Sequence, residues 1–260
     1  MQAFAPALAD TVSGFDPVSY GALARVEATN FWFVSRNELI VALAQRFFPN
    51  ARRYLEIGCG NGAVLQALTH SRQWDRVVGT DLHPAGLAHA RSRLPAHVEL
   101  AQVDATAIPA VAAFDLTGAF DIVEHVADDE AVLAGLRQAT VKGGGAIIAV
   151  PQHPWLWSRA DEIGHHQRRY RRGEMEVKLV RNGYKVLFSS SFTATLLPLM
   201  AASRLSSKFA RDDRHIQRET NLGPFANAML TAILRAEVRL TLAGLRWPAG
   251  GSRIVVAQAV

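Results

Sequence analysis

Two groups of residues in this 260-residue sequence have the types and spacing to do chemistry. The first is LEIGCGNG at 55–62, an apolar run followed by Gly58, Gly60 and Gly62. Glycines there let the backbone turn sharply and bring a nucleotide-like ligand against the N-terminus of the next helix. An acid about 20 residues further on holds ribose hydroxyls, and Asp81 has that spacing. The second group is Asp121-x-x-Glu124-His125 with His153, His165 and His166 downstream. Imidazoles near a ligand edge can take a proton from an acceptor, so His125, His153 and His166 are candidate catalytic residues.

The glycine spacing alone leaves two cofactors open. Gly58-x-Gly60-x-x-Ala63 also satisfies a dinucleotide fingerprint. Three features favour a different cofactor. Glu56 precedes the first glycine by two residues, where an anion opposes a pyrophosphate but suits a cation. Asp104 ends a later strand and adds a polar group at the same sheet edge. Finally, the last two strands form a β-hairpin, which is not the usual dinucleotide arrangement.

These residues need a sheet to position them. Strand-like runs fall at 52–58, 76–81, 97–104, 113–120, 143–151, 186–192 and 250–260, the fourth weakened by Gly118. Helical patterns at 63–70, 86–94, 127–141 and 173–184 alternate with them. Such alternation predicts an α/β fold, a Rossmann-like doubly wound seven-stranded sheet with an antiparallel last strand. A helical N-terminal cap is expected at 1–48, a core at 49–192 and 246–260, and a helical insertion at 193–245 before the last strand.

Composition narrows the class. Hydrophobic residues make up 49% and charged residues 20%, which excludes a disordered or fibrous chain. A single cysteine, Cys59, excludes a disulfide framework and a Cys-rich zinc site, and fits a reducing, cytoplasmic setting. The net charge of +5 permits an anionic partner without demanding one. No basic segment leads an apolar run at the N-terminus. The window 186–203 carries six hydroxyls and Pro198, too polar for a spanning helix.

Taken together, LEIGCGNG (55–62), VGTDLHP (78–84), QVDATAIP (102–109), FDIVEHVADDEAVL (120–133) and KGGGAIIAVP (142–151) resemble the class I S-adenosylmethionine-dependent methyltransferases of the small-molecule type. The resemblance covers roughly residues 30–192 and the final strand. It implies S-adenosyl-L-methionine as cofactor, with Gly58 and Gly60 against its methionine part and Glu56 steering its amino group. It places Asp81 on the ribose, Leu82 beside the adenine, and Asp104 with the Ala105 N–H on the adenine edge. Phe120 would line the cofactor near the sulfonium, and Arg36 would reach its carboxylate.

Asp121-x-x-Glu124-His125 resembles the E-x-x-E-H segment of metal-assisted O-methyltransferases, which implies Asp121, Glu124 and His125 as candidate metal ligands. Metal-free relatives carry a similar pair as structure. The segment 151–172, with Trp155, His165, Arg169 and Tyr170, occupies the stretch where the family builds acceptor pockets. Its arginines suit an anionic acceptor, and the apolar helices of 193–245 suit a hydrophobic one or a homodimer contact. The expected reaction is methyl transfer to a small molecule, with oxygen favoured. A nucleic-acid methyltransferase, a nicotinamide-dependent dehydrogenase and a binding module without catalysis are the alternatives.

Overall fold

The computed structural model describes residues 2–8, 19–207 and 222–260. Residues 208–221 of the expected insertion lie outside the described residues, as do residues 9–18 of the expected cap. The sheet has the order β1-β4-β3-β2-β5-β6-β8-β7. Its strands are β1 (Gln2–Ala3), β2 (Arg53–Ile57), β3 (Arg76–Asp81), β4 (Glu99–Gln102), β5 (Phe114–Phe120), β6 (Thr140–Pro151), β7 (Tyr184–Phe192) and β8 (Ser252–Ala259). All seven expected strands form. The eighth, β1, is a two-residue pairing on the free edge of β4, too short to leave a periodic pattern.

Strand β2 reads RYLEI and is buried over its last four residues, as expected of a parallel strand covered on both faces. From β2 the chain winds outward through β3 and β4, then returns to the other side of β2 as β5. The strand order reverses between β2 and β5, the point beyond whose carboxyl strand ends open α/β sheets bind their ligands. Strand β8 runs antiparallel to both β6 and β7, which confirms the expected final hairpin.

The helices are α1 (Ser19–Val26), α2 (Phe31–Phe47), α3 (Ala63–Ser71), α4 (Pro84–Arg93), α5 (Asp129–Ala139), α6 (Arg159–Ile163), α7 (Glu174–Arg181), α8 (Leu197–Ser207) and α9 (Pro224–Leu242). Each face of the sheet has its own core. On one, Leu39 and Leu43 of α2, Leu65 of α3, Leu87 of α4 and Leu234 of α9 pack with Ile254 and Val256. On the other, Leu133 and Leu136 of α5 and Met175 and Leu179 of α7 pack with Ile148 and Val255.

Local signals set the helix limits. Asn30 caps α2 by accepting the Trp32 N–H at 3.0 Å. Asp128 caps α5 through the Ala131 N–H at 3.0 Å, with Asp129 and Glu130 in the first turn, where the helix dipole favours acids. Asn227 of α9 ties the later helices to the N-terminal ones: its amide accepts from the Phe31 N–H at 2.9 Å and donates to the Thr29 carbonyl at 2.8 Å. Glu237, buried in α9, accepts from the Ala194 and Thr195 N–H groups and fixes the turn after β7.

Candidate functional site

The turn after β2 is built for close approach. Gly58, Gly60 and Gly62 all have positive φ, at 67°, 50° and 75°, where side chains are disfavoured. A Cβ on Gly58 would also lie 2.5 Å from the Ile122 side chain, so the glycine lets the segment after β5 close against the turn. The Cys59 N–H donates to the Thr80 carbonyl at 2.8 Å, which stitches the turn to the end of β3.

Glu56 is buried at the end of β2 and accepts a hydrogen bond from the Tyr54 hydroxyl at 2.9 Å. That hydroxyl occupies the space a Cβ would take on Gly118. Gly118, which weakens β5 as a strand, therefore makes room for the partner of Glu56. Burial pushes the Glu56 carboxyl up to about 8, against the opposing pull of Tyr54 and Arg36. A group in that state gains from an incoming cation.

Asp81 ends β3, also buried. It accepts the Gly60 N–H at 2.8 Å, the His83 N–H at 2.9 Å and the Tyr20 hydroxyl at 3.3 Å. Burial raises its carboxyl above the ordinary range, while the backbone donors of His83 and Gly60 hold it down. Tyr20 was not foreseen: α1 lays its ring against Gly60 and Gly86, and its hydroxyl on the expected ribose-binding carboxylate. Leu82 follows at the same edge, half-buried.

Asp104 accepts from Thr106, at its N–H and its hydroxyl, and so holds its own turn; Ala105 is buried beside it. Phe120 ends β5 and is buried next to the turn. Arg36 of α2 is buried, lies 4.5 Å from the centre of the Trp32 ring, and donates to Asp121. Asp121 itself adopts φ 53° directly after β5.

The second chemical group also assembles, with a change of membership. Glu124, His125 and His166 each offer a ligand atom within 4.8 Å of the others. Asp121 is not among them, because Arg36 holds its carboxylate. The His125 and His166 rings meet edge to face at 4.7 Å. Burial, reinforced by His166, depresses the His125 imidazole to about 4 and keeps it neutral. Burial, reinforced by Asp121, pushes the Glu124 carboxyl well up.

Asp161 of α6, which sequence reasoning missed, lies 2.9 Å from Nδ1 of His166 and accepts from Arg169 at 2.7 Å. Burial works against its charge, but these two partners hold its carboxyl well below the usual range. The Ser158-x-x-Asp161 spacing was the signal available, since it is a capping pattern and the capping box forms.

The rest of 151–172 divides into wall and support. His153 sits at φ 64° with its ring 5.5 Å from that of Trp155, which is 55% exposed. Burial, with Arg169 nearby, depresses the His153 imidazole. His165 is exposed. Arg169 and Tyr170, expected to meet the acceptor, turn inward instead. Arg169 bonds to Asp161 and the Gln152 carbonyl, and Tyr170 is fully buried, donating to Asp129 at 2.9 Å. A cavity of about 870 Å³ lies away from the turn, over the face of β3 and β4, lined by Val78, Leu100, Ile108 and Phe114 among others. No helix among the described residues is long and apolar enough to cross a membrane.

Residues 55–144 match the family model of a methyltransferase domain. The trans-aconitate 2-methyltransferase of Variovorax paradoxus is 38% identical over 112 residues, covering 43% of each chain. The chain is thus matched over less than half the length of that relative. Among solved structures, phosphoethanolamine N-methyltransferase 2 of Haemonchus contortus, in complex with S-adenosyl-L-methionine, superposes with a TM-score of 0.56 at 18% identity, over 86% of this chain and 52% of that one. The [4+2]-cyclase SpnF superposes with a TM-score of 0.55 at 18% identity, over 85% and 79%. These two show the fold alone. The matched stretch spans the glycine turn, Asp81 and β5, so residues 55–144 form a methyltransferase domain of the S-adenosylmethionine-dependent type.

Proposed function

We propose that the protein transfers a methyl group from S-adenosylmethionine to an oxygen of a small, anionic acceptor. The observation that carries this reading is the adjacency at one sheet edge. The glycine turn with Glu56 and Asp81 lies at the ends of β2 and β3, and the Glu124–His125–His166 group follows the neighbouring β5. The cofactor supplies an electrophilic methyl on a cationic sulfur.

The chain's residues do the rest. Gly58 and Gly60 expose backbone to the methionine part. Glu56 receives the ammonium group, and Arg36 the carboxylate. Asp81 accepts from the ribose, Leu82 and Ala105 flank the adenine, and Asp104 meets its amino group. Phe120 packs beside the sulfur. Holding acceptor and methyl in line is the main source of rate, up to about 7–11 kcal/mol of the barrier. Where no ion occupies the Glu124–His125–His166 group, the imidazoles of His125 and His166 take the proton of the acceptor hydroxyl.

An anionic acceptor is supported by the name of the Variovorax relative and by the exposed Arg171 and Arg172 at the end of the acceptor segment. Helix α9 packs along α2 on one face of the sheet, which supports reading the 1–48 cap and the 193–245 insertion as parts of one cover.

The test is calorimetric titration with S-adenosylhomocysteine, followed by transfer of labelled methyl to a panel of small hydroxy and carboxylic acids. Binding with transfer to a member of the panel is the expected result. Binding of NAD alone would sink the reading, and tight, salt-sensitive RNA binding would move the acceptor to nucleic acid.

A further inference from the structure

Glu124 is fully buried in the 3-10 turn after β5, and neither of its carboxylate oxygens has a hydrogen-bond partner among the described residues. A buried carboxylate left unpaired is costly, so a native fold retains one where something compensates it. Nδ1 of His125 is likewise buried and without a partner among the described residues. The third member, His166, directs Nε2 to within 4.0 Å of Glu124, while its Nδ1 lies against Asp161 at 2.9 Å. Asp161 is fixed in turn by the Arg169 side chain and by its role in the α6 capping box. A carboxylate behind an imidazole, with the other ring nitrogen free, is how metal-binding histidines are oriented.

We propose that Glu124, His125 and His166 bind one divalent transition-metal ion, with Asp161 as the residue that positions His166. Two imidazoles and one carboxylate form a donor set that suits a zinc-like ion and disfavours magnesium, which prefers oxygen ligands. The set differs from the one implied by the resemblance of Asp121-x-x-Glu124-His125 to metal-assisted enzymes. Arg36 holds Asp121, and His166, from a distant loop, completes the group. Three protein ligands leave a fourth position for water or an acceptor oxygen. The site stands on these residues and does not depend on methyl transfer.

Protein stripped with a chelator and dialysed is titrated with zinc and, separately, with magnesium by calorimetry. Cobalt(II) serves as a spectroscopic probe of ligand geometry. Expected are a single zinc per chain, binding at least about 100-fold tighter than magnesium, and visible cobalt bands of tetrahedral character. Glu124→Gln and His166→Gln each remove the cobalt bands. Asp161→Asn weakens zinc by about 10- to 100-fold, and Asp121→Asn changes it by less than about twofold.

S-adenosylhomocysteine is titrated into every variant, so that loss of metal with retained nucleoside binding identifies a folded protein. Absence of zinc binding in the parent protein overturns the site. So do zinc affinity unchanged in both Glu124→Gln and His166→Gln, and equal losses in Asp121→Asn and Glu124→Gln. Zinc binding without S-adenosylhomocysteine binding would leave the metal site standing and count against the methyl-transfer reading alone.

Discussion

Arg36 donates to Asp121, and this buried contact fastens α2 to the carboxyl end of β5. Its side chain is 8% exposed and that of Asp121 23%, so water screens the pair poorly on one side. Arg36→Met leaves Asp121 without its cation and is expected to cost about 2–3 kcal/mol. A double-mutant cycle with Asp121→Asn, read from urea melts, should give a coupling of about 1–3 kcal/mol. Strictly additive effects would show that the contact contributes nothing.

Gly58 and Ile122 give a steric prediction. Gly58→Ala places a methyl 2.5 Å from Ile122 at φ 67°, and should destabilise by about 2–4 kcal/mol. Adding Ile122→Ala removes the clash but keeps the backbone strain, so it should recover only part of the loss on top of its own cost. Thermal melts of the four proteins decide it. Complete additivity would mean that the two residues do not meet.

Asp81→Asn tests the ribose site. The amide is close to isosteric, but it loses the charge that strengthens each hydrogen bond it accepts. The affinity for S-adenosylhomocysteine should fall by about 100-fold, close to 3 kcal/mol for two such bonds. An affinity within error of the parent protein's would remove Asp81 from the cofactor site.

Glu56 makes the site pH-dependent in two opposite ways. Its folded-state carboxyl titrates at about 8, above the ordinary 4.5, so the free protein holds this proton longer than the unfolded chain does. Its contribution to stability is therefore full below 4.5 and is lost as pH rises through 8. Glu56→Gln should gain stability relative to the parent across that window, in melts at pH 5 and pH 8. Binding of the cationic cofactor favours the ionised form, so its affinity should rise with pH by up to about tenfold per unit below 8. Calorimetry on Glu56→Gln should show only the titration of the ligand's own ammonium. An identical pH profile in both proteins would exclude Glu56 from the ammonium site.

The strands were readable because β2, β3, β5, β6 and β8 are short apolar runs bounded by glycine, proline or charge, and nothing in the tertiary structure overrides that pattern. Glu56 and Asp81 were readable for a related reason: strand ends fix their own side chains in space. What stayed hidden depends on distant residues meeting. Tyr20 reaches Asp81 from a helix with no distinctive spacing, and Asp161 looks like a simple helix cap until His166 and Arg169 close on it. For Arg169 and Tyr170, residue type suggested a recognition surface, but the carboxylates of Asp161 and Asp129 draw both inward. A charge run shows how many cations are present and leaves open which of them have internal partners.

Strand β8 lies between β6 and β7, although residues 193–251 separate it from β7 in the sequence. During synthesis β7 therefore emerges before β8, the only strand it pairs with among the described residues. At about 5–20 residues per second that interval lasts on the order of 3–12 s. For that time the apolar edges of β6 and β7 are open to other chains, so the nascent protein should depend on chaperones more than the stability of its finished sheet would suggest.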